Sequence, residues 1–526
     1  MNDSLTAGAG TSLTAGPPAG PRALRVPGDG PARARYVEDL LGDPFDAGNP
    51  HGQQALLAAD ERREVPAATE ELLHRFGLAA EFVPRDLGGR LTGVEGLAQV
   101  LRPVFRRDVA LGFGAGMTAL FAASVVWTAG DERQRRDTAL RLLGGGRFTI
   151  LHREFAHANA ILRGEYTARG APGGGYVVDG RKEVVINADR ADVFVSYVRT
   201  AHGDGPDSHS VFLLDTGRLP ARAVRRLPRA RTHGMRGAHY AGLELTHCPV
   251  PADALVGRQG EGVSLALRTF QVSRALVSGG ALVGGMDSAL RYAVRAAGES
   301  RRGLVLHGRR GRVLAGVFAD LLACDSLAVA GLRLLDLAPE HALVPSAAVK
   351  YAVSALLHED LDELAAVLGA RGYDRGPTYG GFQKLVRDLP VAGLGHAGTA
   401  DTQAVLVPTC APSPTPPGAA SRGTRRPRRC SRPAPRRPPS TSGGSTPSPA
   451  TRTTAATGCS PRCSAPPPGS TASAGAAPGG RRSPTSPASS PPRCATSASG
   501  APRSWDARTP GVWPRPRTSS STGTAC

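Results

Sequence analysis

From Ala411 to Cys526 the chain contains no Leu, Ile, Met, Phe or Tyr, one Val (Val512) and two Trp (Trp505, Trp513). Pro, Ser, Ala, Arg, Thr and Gly supply nearly all the rest. Such a segment cannot bury enough apolar surface to offset the ~1–2 kcal/mol per residue that ordering a backbone costs. Residues 411–526 are therefore expected to be disordered, and any fold must be built from the residues before them. The tail also holds 17 Arg against one Asp, which is +16 of the chain's net +20 and leaves only +4 on residues 1–410. Two explanations of it stay open. One is a basic extension attracted to polyanions. The other is a displaced reading frame, favoured by the absence of Lys, the scattered cysteines, the G/C-rich codons of every abundant residue and the abrupt change within DTQAVLVPTC. Neither points to a specific nucleic-acid partner.

The cysteines divide the same way. Cys248, Cys324 and Cys410 precede the tail and the other five fall within it, with no paired zinc spacing and no disulfide framework, so no metal is expected. The N-terminus lacks a basic region followed by an apolar run, so no secretory signal is read. No 18 apolar residues follow one another, so no membrane span is expected. These features suggest a reduced, cytoplasmic protein.

Residues 1–34 are rich in Gly, Ala and Pro without periodicity and read as a disordered leader. Residues 35–146 read as an N-terminal α-helical domain. ATEELLHRFGL puts Leu72, Leu73 and Phe76 on one face, and LAQVLRPVFRR repeats Leu97, Val100, Leu101, Val104 and Phe105 at helical spacing. Pro103 argues against one unbroken helix there. From Arg147 to about residue 255 the period becomes that of short strands separated by Gly, Asp and Asn turns. ARGAPGGGYVVDGRKEVVI reads as two hairpins turning at Gly173–Gly175 and at Asp179-Gly180, and Pro249-Val250-Pro251 should end ladder pairing. Gly144–Gly146 precedes a strand, so it is a turn and not a phosphate cradle. Residues 256–410 return to long amphipathic helices with short joints, as in an antiparallel bundle. The fold class read from these shifts is α+β and multidomain: a helical domain, a central antiparallel β barrel or sandwich, a helical bundle, then the tail.

Motifs at the joints add a resemblance. THGMRGAHYAGLELTHCPVPADALVGRQGEG (232–262) leads from the β region into the first long helix, which carries Phe270 and Arg274 in F-x-x-x-R spacing. Arg301 precedes GLVLHGRRGRV, LGARGY spans 368–373, and KLVRDLPVAGLGHAGTADTQ spans 384–403. In this order, over roughly residues 60–405, they resemble the acyl-CoA dehydrogenase family. The resemblance implies bound FAD beside an acyl-CoA or acyl-carrier-protein substrate, with a carboxylate removing the α-proton as the β-hydride passes to the flavin. It implies flavin contacts from Asn187, Arg301, Arg312, Gly369, Gly398 and Thr399, a substrate contact from Arg274, and a homodimer or homotetramer.

The sequence also departs from that family. The family's base positions fall on Ala397 and Ser273, neither of which can deprotonate a carbon acid, which leaves the catalytic base unknown and His396 and Asp374 as nearby candidates. Its flavin loop becomes LHREFAHANA (151–160), and its Trp-Ile-Thr-Asn strand becomes Val184-Val185-Ile186-Asn187. Leu304 and Val305 replace a Phe and a Gly of the Arg-led segment. His152 and His157, five apart in a loop, read as surface residues and not metal ligands. Three functions are compatible with these residues: α,β-dehydrogenation of an acyl thioester, a flavin-dependent monooxygenase of the same fold, or a non-catalytic relative.

Overall fold

A computed structural model describes residue 24 and residues 26–151, 154–157, 163–203, 205–298, 308–394, 402–403 and 405–407. Expectations placed on residues 1–23, His152, Arg301, Leu304, Val305, His396, Ala397, Gly398, Thr399, Cys410 and the tail lie outside the described residues.

Leu24 and Val26 pack against the core, and Asp29, whose side chain accepts from Ala32 N, starts α1 (Gly30–Leu41), all before the boundary expected at Arg35. Then come α2 (Gln53–Arg62), α3 (Ala67–Phe76) and α4 (Val94–Arg107). Contrary to expectation, α4 runs unbroken through Pro103. A proline inside a helix costs about 3 kcal/mol, but Val100, Leu101, Val104 and Phe105 are all fully buried and their burial outweighs it. Asp108 caps α5 (Val109–Leu111), which passes through a π-turn (Gly112–Met117) into α6 (Thr118–Ala129). An Asp131–Gln134 capping box then starts α7 (Glu132–Leu143).

Eight strands follow: β1 (Phe148–Leu151), β2 (Thr167–Gly170), β3 (Tyr176–Ile186), β4 (Val193–Arg199), β5 (His209–Asp215), β6 (Val224–Leu227), β7 (Tyr240–Val250) and β8 (Leu255–Val256). The sheet order is β6-β7-β3-β2-β4-β5-β8, with β1 on β4. The helix–sheet–helix order is as expected, but the strictly antiparallel pairing and the closure of a barrel are not found among the described residues. The sheet is open, and it is mixed because β1 pairs β4 in parallel. The long excursion through β2 and β3 returns the chain to the end where β1 began, as a parallel pair requires.

The second expected hairpin is also corrected. Asp179 and Gly180 lie inside β3, where the register against β7 slips between Val178 and Gly180. Gly180 has φ +143° and faces Tyr166, while Asp179 accepts from His247 N at 2.6 Å. The dipeptide makes a bulge, not a turn. Pairing does not end at Pro249 either: Pro249 pairs Val177, Val250 pairs Tyr176, and β8 then joins β5. At Pro249 β7 has a neighbour on one side only, where a missing N–H is tolerated.

Helices return with α8 (Gly262–Leu276), a second π-turn (Val277–Leu282) and α9 (Val283–Gly298). They continue as α10 (Arg309–Leu337), α11 (Leu343–Leu368) and α12 (Gly380–Leu394). Both helical regions share one apolar core running from Val37 to Ala392, into which β1 and β4 insert Phe148, Ile150, Val193 and Val195. The rest of the sheet has its own core around Tyr166, Phe194, Phe212 and Leu243. Two helical runs are, by length and composition alone, apolar enough to cross a membrane. Val109–Ala129 is mostly buried in the protein, whereas 28% of the apolar stretch of α10 is buried. Gly, Ser and Thr in the first, and Asp320 and Asp325 in the second, hide these runs from a count of consecutive apolar residues.

Candidate functional site

A cavity of about 450 Å³ opens where the helical core, the sheet and α12 meet. Phe113 and Thr118 reach it from the first π-turn and α6, and Val277 from the second. π-turns widen a helix locally and recur at functional sites. The sheet contributes Thr149 and Ile150 of β1 with Val184, Val185 and Ile186 of β3. Tyr240 and the turn Thr232-His233-Gly234 form another wall, closed by Arg387, Pro390, Val391 and Ala392 of α12. Most of this lining is aliphatic or aromatic. Among the described residues no carboxylate lines it.

Buried charges hold α12 and the 232–236 turn together. Arg387 (6% exposed) donates to Asp60 Oδ2 at 2.7 Å, to the His233 carbonyl at 3.1 Å and to Gln383 at 3.1 Å. One turn earlier, Lys384 sits 2.9 Å from Asp108 and 2.5 Å from Asp388, and Asp388 accepts from Met235 N at 2.5 Å. Burial opposes the Lys384 charge, but Asp108, Asp388 and Asp60 outweigh it and hold the ammonium well above the ordinary lysine range. Gly234 permits this approach: a Cβ there would collide with the Arg387 carbonyl and the Asp388 carboxylate.

Two buried oxygens near the cavity lack hydrogen-bond partners. Thr118 Oγ1 is one, on a cavity-lining residue. The other is Oδ1 of Asn187, a residue held at φ +60° just past β3, whose Nδ2 donates to the Gly114 carbonyl at 2.5 Å. Polar atoms this deep are normally paired, so each orphan calls for a partner that the protein's own groups do not supply. Thr149 Oγ1 is already committed to the Ile186 carbonyl at 2.7 Å.

The sequence candidates scatter around this cavity. Asn187 is not a lining residue but follows Ile186, which is, and bonds to Gly114, the neighbour of lining residue Phe113. Arg274 is buried on α8, its carbonyl accepting from Ser278 Oγ, and it is not among the cavity-lining residues; nor is the buried Ser273. Arg312 is exposed in the first turn of α10, and Gly369 is exposed at the end of α11 with φ +59°. Asp374 is exposed, and its carboxylate closes a local turn by accepting from Gly376 N at 2.8 Å, so it is not placed to act in the cavity. The residues the sequence did not single out are Thr118, His233 and Arg387. The signal available for two of them was polar residues inside the GMRG-like turn and the Arg-Asp pair.

His157 is half-buried and lies, with Glu154 and Glu165, in a group whose ligand atoms fall within 4.8 Å of one another. Glu154 is already committed: it pairs at 3.0 Å with Lys182, which is 1% exposed, and accepts from Glu165 N. A cation placed there would compete with that buried ammonium.

The protein-family model for the acyl-CoA dehydrogenase C-terminal domain matches residues 260–407. Among curated proteins, an acyl-CoA dehydrogenase of Bacillus subtilis is 23% identical over 231 residues, 44% of this chain and 60% of its own. Cyclohex-1-ene-1-carbonyl-CoA dehydrogenase of Geobacter metallireducens is 27% identical over 241 residues, 45% of this chain and 62% of its own. The chain thus spans about three-fifths of those relatives. Butyryl-CoA dehydrogenase from Megasphaera elsdenii superposes with a TM-score of 0.64 at 18% identity, over 72% of this chain and 97% of that one. The prolyl acyl carrier protein oxidase AnaB gives 0.63 at 18% with the same coverage, and PigA with FAD and proline gives 0.64 at 17%, over 72% and 96%. At such identities the likeness establishes the fold.

Proposed function

The chain belongs to the acyl-CoA dehydrogenase family, and we propose that it is an FAD-dependent oxidoreductase that desaturates the α,β-bond of an acyl thioester carried on CoA or a carrier protein. The observation that carries this reading is the cavity: an apolar slot between the end of β3 and the end of α12, with the unpartnered Thr118 hydroxyl on its wall. Those features suit a flat ring that is largely apolar and carries hydrogen-bonding edges. The family's flavin-contacting Trp and Thr side chains are absent here, so side-chain contact to a ring would come from the aliphatic faces of Val184 and Ile186, with Phe113 and Ile150 beside them. FAD, when bound, supplies the hydride acceptor.

The protein's part is positioning and exclusion of water. Arg387, held by Asp60, keeps the last turns of α12 against the slot. Thr118 would orient a polar edge, and the aliphatic lining lowers the local dielectric so that any dipole aimed at a developing charge acts more strongly. Structures bearing the same fold include a carrier-protein oxidase and a protein with FAD and proline, which extends the candidate substrates to aminoacyl thioesters. A homodimer or homotetramer belongs to the same proposal, supported by Leu322 and Leu327, which α10 leaves 51% and 41% exposed.

The test is an absorption spectrum of the purified full chain after incubation with FAD, then anaerobic titration with acyl and aminoacyl thioesters of CoA and carrier protein. Stoichiometric flavin that bleaches with one class of thioester is expected. Flavin that no thioester bleaches but NAD(P)H reduces would replace the reading with the oxygenase chemistry. Absence of binding at saturating FAD would overturn it.

A further inference from the structure

Removing a proton from the carbon beside a thioester requires a group able to accept it at neutral pH. Ser273 does not line the cavity. Among the described residues that do, there is no Asp, Glu, Lys or Cys. The Arg387 guanidinium stays charged and is committed to Asp60. The Tyr240 phenol and the hydroxyls of Thr118, Thr149 and Thr232 hold their protons at neutral pH. His233 is left, the one of these lining side chains whose neutral form carries a basic nitrogen lone pair.

The backbone carrying that imidazole is anchored on both sides. The His233 carbonyl accepts from Arg387 Nη1 at 3.1 Å and from Arg236 Nε at 3.1 Å. Gly234 lies against the Arg387 backbone, and Met235 N donates to buried Asp388. Arg387 is held by Asp60 and Asp388 by Lys384, so these anchors are themselves fixed by buried ion pairs. A group presented to a cavity from a backbone so constrained loses little entropy in reaching a working geometry. His233 is also exposed, so an accepted proton can pass to water.

We propose that His233 is the general base of this site, an assignment that rests on the dehydrogenase function proposed above. The imidazole lone pair takes the α-hydrogen as a proton, and the electron pair of that C–H bond becomes the new Cα–Cβ π-bond. The β-hydrogen would leave with its electron pair to FAD, when bound, which would take up the two electrons that the acyl chain loses. His233 then releases its proton to solvent.

The experiment compares full-length wild type with His233→Gln, His233→Ala and His396→Gln. Each is loaded with FAD and checked by thermal melting and FAD affinity. In D2O, deuterium entering the α-carbon of the thioester that bleaches wild type best is followed by NMR, which needs no net turnover. Anaerobic bleaching is measured in parallel. His233→Gln should bind FAD like wild type while exchange and bleaching slow at least ~100-fold, and added imidazole should restore part of the exchange in His233→Ala. Wild-type exchange in His233→Gln, or its loss in His396→Gln alone, overturns the assignment and leaves the flavin chemistry standing. If wild type neither binds FAD nor bleaches with any thioester, both fall together.

Discussion

Replacing Arg387 by Met tests the joint beneath the cavity. The substitution keeps an unbranched side chain on α12 but removes the charge-assisted bond to Asp60 and the bonds to the His233 carbonyl and Gln383. Bonds to charged groups contribute about 1.5–3 kcal/mol and neutral ones about 0.5–1.5 kcal/mol. Asp60, 2% exposed, would keep Arg236 at 3.6 Å and the Lys384 ammonium as cationic neighbours but lose its direct charged hydrogen bond, and breaking a buried pair from one side costs about 3–5 kcal/mol. These contributions overlap, so the expected loss is about 3–5 kcal/mol. In a folded region larger than ~250 residues each kcal/mol moves Tm by about 1–2 °C, giving a fall of about 3–10 °C by differential scanning calorimetry. Asp60→Asn removes the orphaned charge, so the double variant should lose at least ~1 kcal/mol less than the two single losses added together. A single-variant Tm within ~1 °C of wild type, or strictly additive losses, would refute the reasoning that this ion pair fastens α12 to α2.

Three further outcomes are expected. Gly180→Ala drives a Cβ into buried Tyr166 at a φ that alanine resists, so the melting temperature should fall by several degrees; an unchanged melt would mean the bulge is not strained by a side chain. Asp360 is raised to about 7 by burial and by Asp320, Glu359 and Glu363. A carboxyl raised above its unfolded value of about 3.9 stabilises most below that value and loses the contribution as pH rises through about 7. The Tm advantage of Asp360→Asn over wild type should therefore widen between about pH 5 and about pH 8.5, and a flat difference in parallel melts would contradict the shift. Thr118→Val should weaken FAD binding about 2–10-fold in fluorescence titrations, the loss of one hydrogen bond, without lowering the apoprotein's melting temperature. Equal affinity would mean that the hydroxyl does not meet the flavin.

Much of the helical architecture was legible because local period reports the buried face. Leu97, Val100, Leu101, Val104 and Phe105 fill the core as their spacing required. Pro103 misled because propensity is local, whereas the burial that overrides it comes from neighbouring helices. Asp179-Gly180 carries the local chemistry of a tight turn, and what makes it a bulge is Tyr166 and His247, distant in sequence. The site was less legible for the same reason. Its cavity draws on the two π-turns, α6, three strands, the 232–234 turn and α12, and the bond tying His233 to Arg387 spans 154 positions. Motif spacing marks the ends of such contacts without showing that they meet, so nothing local to Arg387-Asp388 or to the Gly234-Met235-Arg236-Gly237 turn reveals their junction.

The most direct test of the dehydrogenase function is the mass of the acyl product. The FAD-loaded full chain would be incubated with the thioester that bleaches its flavin and an artificial electron acceptor, and the acyl group analysed by mass spectrometry. Loss of two hydrogens, with the double bond between the α- and β-carbons, is the predicted result. Gain of an oxygen atom, or an acyl group unchanged while its flavin is reduced by another donor, would contradict it.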